Sequence, residues 1–257
     1  MTGADRRPLS GRRIVTTRDA RGRLDTSLTE LGADVVHVPL IEIADAPDAG
    51  AALADALSRV DEYDWIVVTS RHGAARVADA LAGAHAHAVR TAAVGTATAE
   101  VLTRVTGRPV DLVPGVQRAS ALVDAFADPA TSRSVDGAPA RMLVAQADRA
   151  EPTLVDGLRR LGHDVDVVTA YATRLREPTT IEIEAALAAD AVAFASGSAA
   201  ESWAATIGAR TPPVVCAIGP TTARIAAAHG IVVTAVAHEH SVPGLAACLV
   251  ATLGPHG

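Results

Sequence analysis

Four short segments combine serine, threonine or glycine with the predicted start of a helix, and they are the clearest candidates for chemistry. Two end a strand-like run in hydroxyl residues, Thr69-Ser70 and Ser196-Gly197-Ser198, and two begin with glycine, Gly95-Thr96-Ala97-Thr98 and Gly219-Pro220-Thr221-Thr222. The free N–H groups at a helix N-terminus attract anions, and a nearby hydroxyl adds another donor. These segments therefore predict carboxylate or phosphate binding, with simple helix capping as the alternative.

Several other chemistries are excluded or disfavoured by what the chain lacks. All 23 of its Lys and Arg residues are arginine, so Schiff-base chemistry, pyridoxal-phosphate attachment and the phosphate-loop lysine are ruled out. Neither Gly95 nor Gly219 begins a Gly-x-Gly-x-x-Gly fingerprint, and no Gly-x-Ser-x-Gly elbow precedes a helix. Nicotinamide enzymes and serine hydrolases are therefore disfavoured, and we expect no cofactor.

Histidine and cysteine give weak indications of a metal site. Two pairs of histidines are closely spaced, His85 with His87 and His238 with His240, but no third ligand cluster accompanies either pair. Exposed loop histidines are the favoured interpretation, with metal ligation as the alternative, and we predict no metal. The 2 cysteines lie in unrelated contexts, which excludes a disulfide framework and a thiolate zinc site and fits a reducing cytoplasm.

Charge and composition limit the partners. The formal net charge is −6 and aromatic residues make up 2% of the 257 residues, so neither a basic field nor a stacking platform favours nucleic acid or an anionic membrane. The N-terminus has no apolar signal region, and no uninterrupted apolar stretch approaches about 18 residues. We expect a cytoplasmic protein without nucleic-acid or membrane partners.

The elements that must position the four segments follow a βα rhythm. Short runs rich in Val and Ile each precede a small-residue turn and a helical pattern. These runs are Ile14–Thr17, Trp65–Thr69, Thr91–Val94, Met142–Ala145, Ala191–Ala195 and Val214–Ile218. Helices are expected to end in left-handed glycine caps at Gly32, Gly107, Gly162 and Gly230. The pattern predicts an α/β fold with parallel sheets.

An internal repeat indicates two similar halves. The segment 64–70 returns at 190–196, and the segment 93–99 returns at 217–223, so both blocks recur at nearly one spacing. A weaker block, Leu31–Val35, returns at Leu161–Val165. Each half therefore contributes one hydroxyl turn, at Thr69-Ser70 or Ser196-Gly197-Ser198, and one glycine turn, beginning at Gly95 or Gly219. All four turns would meet a common anionic ligand if the halves face each other.

With these residues in place, the chain resembles the uroporphyrinogen-III synthase family over essentially its whole length. The segment Ala217–Arg224, running on to His229-Gly230, is similar to the most recognisable motif of that family. The strand-and-turn segments Asp64–Ala75 and Asp190–Ala200 also resemble family segments, as does the Tyr-bearing stretch Val168–Thr173. The opening strand, Arg13–Arg18, completes the same block order.

The resemblance implies two flavodoxin-like parallel-sheet domains joined by a two-stranded linker. One domain would comprise residues 1–38 with 174–257, and the other residues 44–165. The linker strands would be 39–43 and 166–173. The apolar run Val35–Ile43 is long for one ordinary strand, which favours a strand that crosses between the domains.

The resemblance also implies an enzyme that cyclises hydroxymethylbilane, inverts ring D and loses water to give uroporphyrinogen III. The substrate carries eight carboxylates, which the four turns and arginines near strand ends would bind. The arginine candidates are Arg18 and Arg149, together with Arg71 and Arg174. Tyr171 is the candidate general acid because the resemblance places it on the linker and its neighbours are alanines.

A non-catalytic interpretation remains open. A two-lobed α/β module that binds an anionic small molecule as a sensor or carrier would show the same turns without an indispensable catalytic group. The family's block order and Tyr171 favour the enzyme. We expect a monomer that acts on a small molecule.

Overall fold

The computed structural model describes residues 7–81, 89–128, 131 and 138–254. They form two compact units. The terminal unit lies within Met1–Glu42 and Arg174–Gly257, and the central unit is Ile43–Thr173. None of the helices in the described part of the chain is long and apolar enough to cross a membrane. His85 and His87 lie outside the described residues.

Ten strands and ten α-helices are placed among the described residues. The strands are β1 Arg13–Thr16, β2 Asp34–His37, β3 Ile41–Ala44, β4 Trp65–Val68, β5 Arg90–Ala93, β6 Arg141–Ala147, β7 Asp164–Leu175, β8 Ala191–Phe194, β9 Val214–Ala217 and β10 Ala235–Val236. The helices are α1 Arg23–Glu30, α2 Ala51–Ser58, α3 Arg71–Leu81, α4 Thr96–Thr106, α5 Ala119–Phe126, α6 Thr153–Arg160, α7 Thr180–Leu187, α8 Gly197–Thr206, α9 Pro220–Ala228 and α10 Val242–Leu253. A 3₁₀ turn covers Val60–Glu62.

The terminal unit is built on a five-stranded sheet with the order β10-β9-β8-β1-β2. All of its neighbouring strands pair in parallel. Adjacent residues on β1 enter different apolar clusters: Ile14 packs with residues of α1 and α10, and Val15 packs with residues of α7, α8 and α9. Both faces of the sheet are covered by helices, which explains why its strands are apolar without alternation.

The central unit is built on a second five-stranded sheet with the order β3-β7-β6-β4-β5. Its strand β4 is buried throughout, with Ile66 and Val68 in one apolar cluster and Trp65 and Val67 in the other. Ala92 of β5 also forms a parallel bridge with Leu112. The predicted α/β fold is therefore confirmed, with two sheets that contain parallel strands.

One expectation about the connecting segments needs correction. Val35–Ile43 is not one strand, because β2 ends at His37 and β3 begins at Ile41. Pro39 lies in the gap, and proline lacks the N–H that a continuous ladder requires. Residues 166–173, expected to be a linker strand, lie within β7, which neighbours β3 on one side and β6 on the other.

The four glycines expected to end helices all have positive φ, at Gly32, Gly107, Gly162 and Gly230. At Gly32 a Cβ would also lie 2.8 Å from the Cβ of Arg7. Position 32 therefore requires glycine for both its backbone conformation and its close packing.

Candidate functional site

The two hydroxyl turns follow the carboxyl ends of β4 and β8, as expected, but their serines also cap helices. The Ser70 Oγ accepts a hydrogen bond from the N–H of Gly73 at 3.0 Å. The Ser196 Oγ accepts one from the N–H of Ala199 at 3.2 Å and lies 2.9 Å from the Ser198 Oγ. Part of the hydrogen-bonding capacity predicted for a ligand is therefore used within each helix.

The two remaining residues of these turns, Thr69 and Gly197, pack against their surroundings. Thr69 is half-buried at the end of β4. A Cβ on Gly197 would meet the Cδ1 of Ile225 in α9, the far end of a flexible side chain. Gly197 therefore packs against α9 as well as belonging to the hydroxyl turn.

The two glycine turns leave more donors available. Gly95 and Gly219 are extended N-caps of α4 and α9, and neither helix receives a side-chain cap. Thr96 and Thr221 in the first turns are exposed. The first amides of an α-helix have no partner within the helix, so these turns present N–H groups at the carboxyl edge of each sheet.

The buried positions of Thr98 and Thr222 argue against the predicted role of their hydroxyls in substrate binding. Thr98 is 5% exposed and Thr222 is 4% exposed. Thr98 shares a buried helix face with Leu102, and Thr222 shares one with Ala226. The i to i+4 spacing of an α-helix places these pairs on the side toward the core, a signal that was already present in the sequence.

A polar side chain covers each glycine turn, and neither was identified as a site residue from the sequence. A Cβ on Gly95 would lie 2.6 Å from the Oε1 of Gln117, whose Nε2 donates to the Thr96 Oγ1 at 3.3 Å. A Cβ on Gly219 would lie 3.2 Å from the ring of His240. Gln117 and His240 each precede the next helix of their unit, which follows the internal repeat.

Two of the arginine candidates are exposed at the ends of strands. Arg18 and Arg149 are exposed after β1 and β6, and no ion pair holds either guanidinium within the described residues. The carbonyl oxygen of Arg18 accepts a hydrogen bond from the His37 Nε2 at 2.9 Å, on the tautomer that carries the proton there. Both side chains have the freedom to reach an anionic ligand.

Tyr171 lies near the C-terminal end of β7 but is less open than expected. Its residue is 7% exposed, and the flanking Ala170 and Ala172 are buried as well, so the small neighbours do not open its surroundings. Its carbonyl oxygen accepts a hydrogen bond from the N–H of Asp148 at 3.0 Å. The ring of His72 packs edge-on against its ring, with centroids 5.5 Å apart.

The side chains of Tyr63 and Cys216 have raised pKa values because they are buried within the fold. Burial, together with a 2.8 Å hydrogen bond donated to Asp166, raises the pKa of Tyr63 to about 12. Burial, with Cys248 as the second cause, raises the pKa of Cys216 to about 12. Both groups therefore stay neutral near neutral pH, and neither is poised as an acid or nucleophile. No group of three or more metal-ligating side chains occurs among the described residues.

The fold and the turns define a class: a protein of two parallel-sheet α/β units, each with uncapped helix N-termini and hydroxyl residues at the carboxyl edge of its sheet. Residues 22–247 match the sequence profile of the family described as Uroporphyrinogen-III synthase HemD. The chain belongs to the uroporphyrinogen-III synthase family, which confirms the resemblance.

Individual relatives agree with this assignment. The chain is 28% identical to uroporphyrinogen-III synthase of Synechococcus elongatus over 188 residues, which cover 70% of this chain and 67% of the relative. It is 26% identical to the chloroplastic uroporphyrinogen-III synthase of Oryza sativa over 196 residues, covering 74% of this chain and 63% of the relative. The fold is similar to the crystal structure of uroporphyrinogen-III synthetase from Helicobacter pylori, with a TM-score of 0.63, 15% identity, and coverage of 94% and 99% of the two chains.

Proposed function

We propose that this protein is a carbon–oxygen lyase that converts hydroxymethylbilane into uroporphyrinogen III with inversion of ring D. The observation that carries the proposal is the family match over residues 22–247. The uncapped glycine turns, one in each unit, support it because they suit a substrate with many carboxylates.

Substrate binding rests mainly on backbone donors. The free amides in the first turns of α4 and α9, which begin at Thr96 and at Thr221 because Pro220 has no N–H, bind carboxylates together with the exposed threonine hydroxyls. Arg18 and Arg149 add charge. Hydroxymethylbilane is large and flexible, and each unit offers its own set of these donors. A protein of net charge −6 needs such local donors because its overall field repels an octacarboxylate.

The chemistry needs one proton and a fixed geometry. Tyr171 donates a proton to the hydroxyl that leaves ring A, so that water departs and an azafulvene forms. Ring D attacks through its substituted carbon, the spiro intermediate fragments, and the ring recloses in the inverted orientation. The proton lost from ring D on final closure restores Tyr171, so the net change is the loss of one water without a cofactor.

Product identity tests the proposal. Hydroxymethylbilane closes spontaneously to the symmetric type I isomer, so enzyme activity is the appearance of type III isomer without added metal, nucleotide or flavin. Chromatography of the oxidised porphyrins separates the two isomers. Type I alone, formed at the uncatalysed rate in the presence of folded protein, would exclude the synthase and leave the non-catalytic binding module.

We also propose that the protein acts as a monomer in the cytoplasm, without a nucleic-acid or membrane partner. The negative net charge supports the absence of polyanionic partners. Light scattering coupled to size-exclusion chromatography tests the monomer, with the mass of 26.2 kDa as the expected result.

A further inference from the structure

The direction of the Tyr171 side chain depends on an irregularity in β7. The pairing with β6 passes from Gln146 opposite Thr169 to Ala147 opposite Tyr171, so Ala170 is an extra residue in the ladder. Successive residues of a regular strand point to opposite faces. Ala170 and Tyr171 nevertheless enter the same apolar cluster, which shows that the register shift turns Tyr171 to the face that α3 covers.

His72 meets Tyr171 on that face. The two rings are 5.5 Å apart at an interplanar angle of 61°, an edge-to-face arrangement within the range of favourable aromatic pairs. His72 is half-buried, and the Nε of Arg71 lies 3.5 Å from its Nε2. One side of the imidazole therefore packs against the phenol ring while a nitrogen stays in polar surroundings.

The backbone that carries His72 is fixed against the sheet. The Ser70 Oγ holds the N–H of Gly73 at 3.0 Å. A Cβ on Gly73 would lie 3.2 Å from the Val68 Cγ1 and 3.3 Å from the Ala145 carbonyl oxygen, so this first turn of α3 sits directly on β4 and β6. Since β6 is also the neighbour of β7, His72 and Tyr171 are held by the same rigid frame.

We propose that His72 is a positioning residue that fixes the phenol ring of Tyr171 for proton donation. The inference rests on the proposed function, in which Tyr171 is the acid. The contact acts through ring packing: the register shift directs the Tyr171 side chain toward α3, and the edge-to-face contact with the imidazole restricts its rotation. His72 lies two residues after Ser70, so the Thr69-Ser70 turn positions a side chain besides presenting donors to the substrate.

The test compares His72→Ala with His72→Phe, which keeps a flat ring without the nitrogens. Loss of a positioning contact should lower kcat about 5 to 20 fold in His72→Ala while KM stays within about twofold, since misplacement of a reacting group affects the chemical step. His72→Phe should keep kcat within about twofold of wild type. Arg76→Ala is the matched control in the same helix, because Arg76 forms a surface ion pair with Asp45 and its loss should leave kcat unchanged.

The decisive readout is the double variant with Tyr171→Phe. If His72 acts through the Tyr171 hydroxyl, His72→Ala adds no further loss of kcat to Tyr171→Phe. A fully additive loss, a wild-type kcat in His72→Ala, or equal losses in the Ala and Phe variants would each overturn the inference. Should His72→Ala fail to fold, His72→Leu takes its place, because leucine fills a similar volume without a ring edge. Absence of type III product from the wild type would instead overturn the proposed function itself.

Discussion

At the residue scale, the proposed proton transfer depends on one hydroxyl, that of Tyr171. Tyr171→Phe removes the oxygen and keeps the ring that packs with His72. If the hydroxyl assists the departure of water, kcat should fall about 10 to 100 fold with KM unchanged, the scale of general acid catalysis. Rapid-quench kinetics with isomer analysis measures this, and an equal melting temperature shows that the fold is retained. A wild-type rate would make Tyr171 a core residue without a catalytic role.

A second residue-scale prediction concerns the pH dependence of stability. His163 is 8% exposed, and its burial lowers its pKa below the ordinary value of 6.5. The unfolded chain therefore takes up a proton at a higher pH than the folded chain does. The free energy of unfolding should fall as the pH drops below about 6.5, and the fall should end once the pH passes the folded pKa.

The variant His163→Gln removes this titration and keeps an oxygen able to accept from the N–H of Ala140, as the His163 Nδ1 does at 3.3 Å. Urea unfolding at pH 7.5 and pH 5.0 should show a smaller loss of stability on acidification in the variant than in wild type, even though the variant is less stable overall. Equal losses in both proteins would show that other groups cause the acid lability.

At the element scale, the sequence predicts strands and turns well and side-chain directions poorly. The six apolar runs each overlap an observed strand, because a doubly covered parallel strand must be apolar throughout. The direction of Tyr171 was not predictable, since a register shift depends on which partner strand lies alongside. Pro39 indicates the break between β2 and β3, but the apolar residues on both sides favoured the prediction of one continuous strand.

The glycine turn of the central unit offers an element-scale test of the amide donors. Thr96→Pro copies Pro220, which begins the equivalent helix of the terminal unit, and Gly95 already has the extended conformation that precedes proline. The helix should therefore persist without the Thr96 N–H. We expect KM to rise roughly tenfold, because about 1.5 kcal/mol is typical of a hydrogen bond to a charged acceptor.

Thr96→Ala is the matched control, since it keeps the amide and loses only the hydroxyl that accepts from Gln117. Its KM should stay within about threefold of wild type, which corresponds to the lower end of a hydrogen bond's net contribution. If the Pro and Ala variants raise KM equally while both remain folded, the hydroxyl carries the binding and the amide does not.

At the scale of the whole molecule, the two units share one topology in permuted chain order. In the terminal unit β2, β1, β8 and β9 are adjacent, and in the central unit β7, β6, β4 and β5 take the same places. The bridge from Ala92 to Leu112 occupies the position that β10 has beside β9. The repeat in the sequence therefore corresponds to two equivalent sheet edges, each with a glycine turn covered by a polar side chain.

The equivalent sheet edges of the two units lead to a prediction that involves both units together. Thr221→Ala removes an exposed hydroxyl in the terminal unit, and Thr96→Pro removes an amide in the central unit. If one substrate molecule contacts both turns, each variant weakens binding, and independent effects predict that the fold-changes in KM multiply in the double variant. The measurement is KM and product affinity for the three variants, with melting temperatures as the control for folding. If Thr221→Ala is silent and the double variant matches Thr96→Pro, the substrate contacts only the central unit at these turns. A shared carboxylate-rich ligand would then no longer explain why the second turn is present.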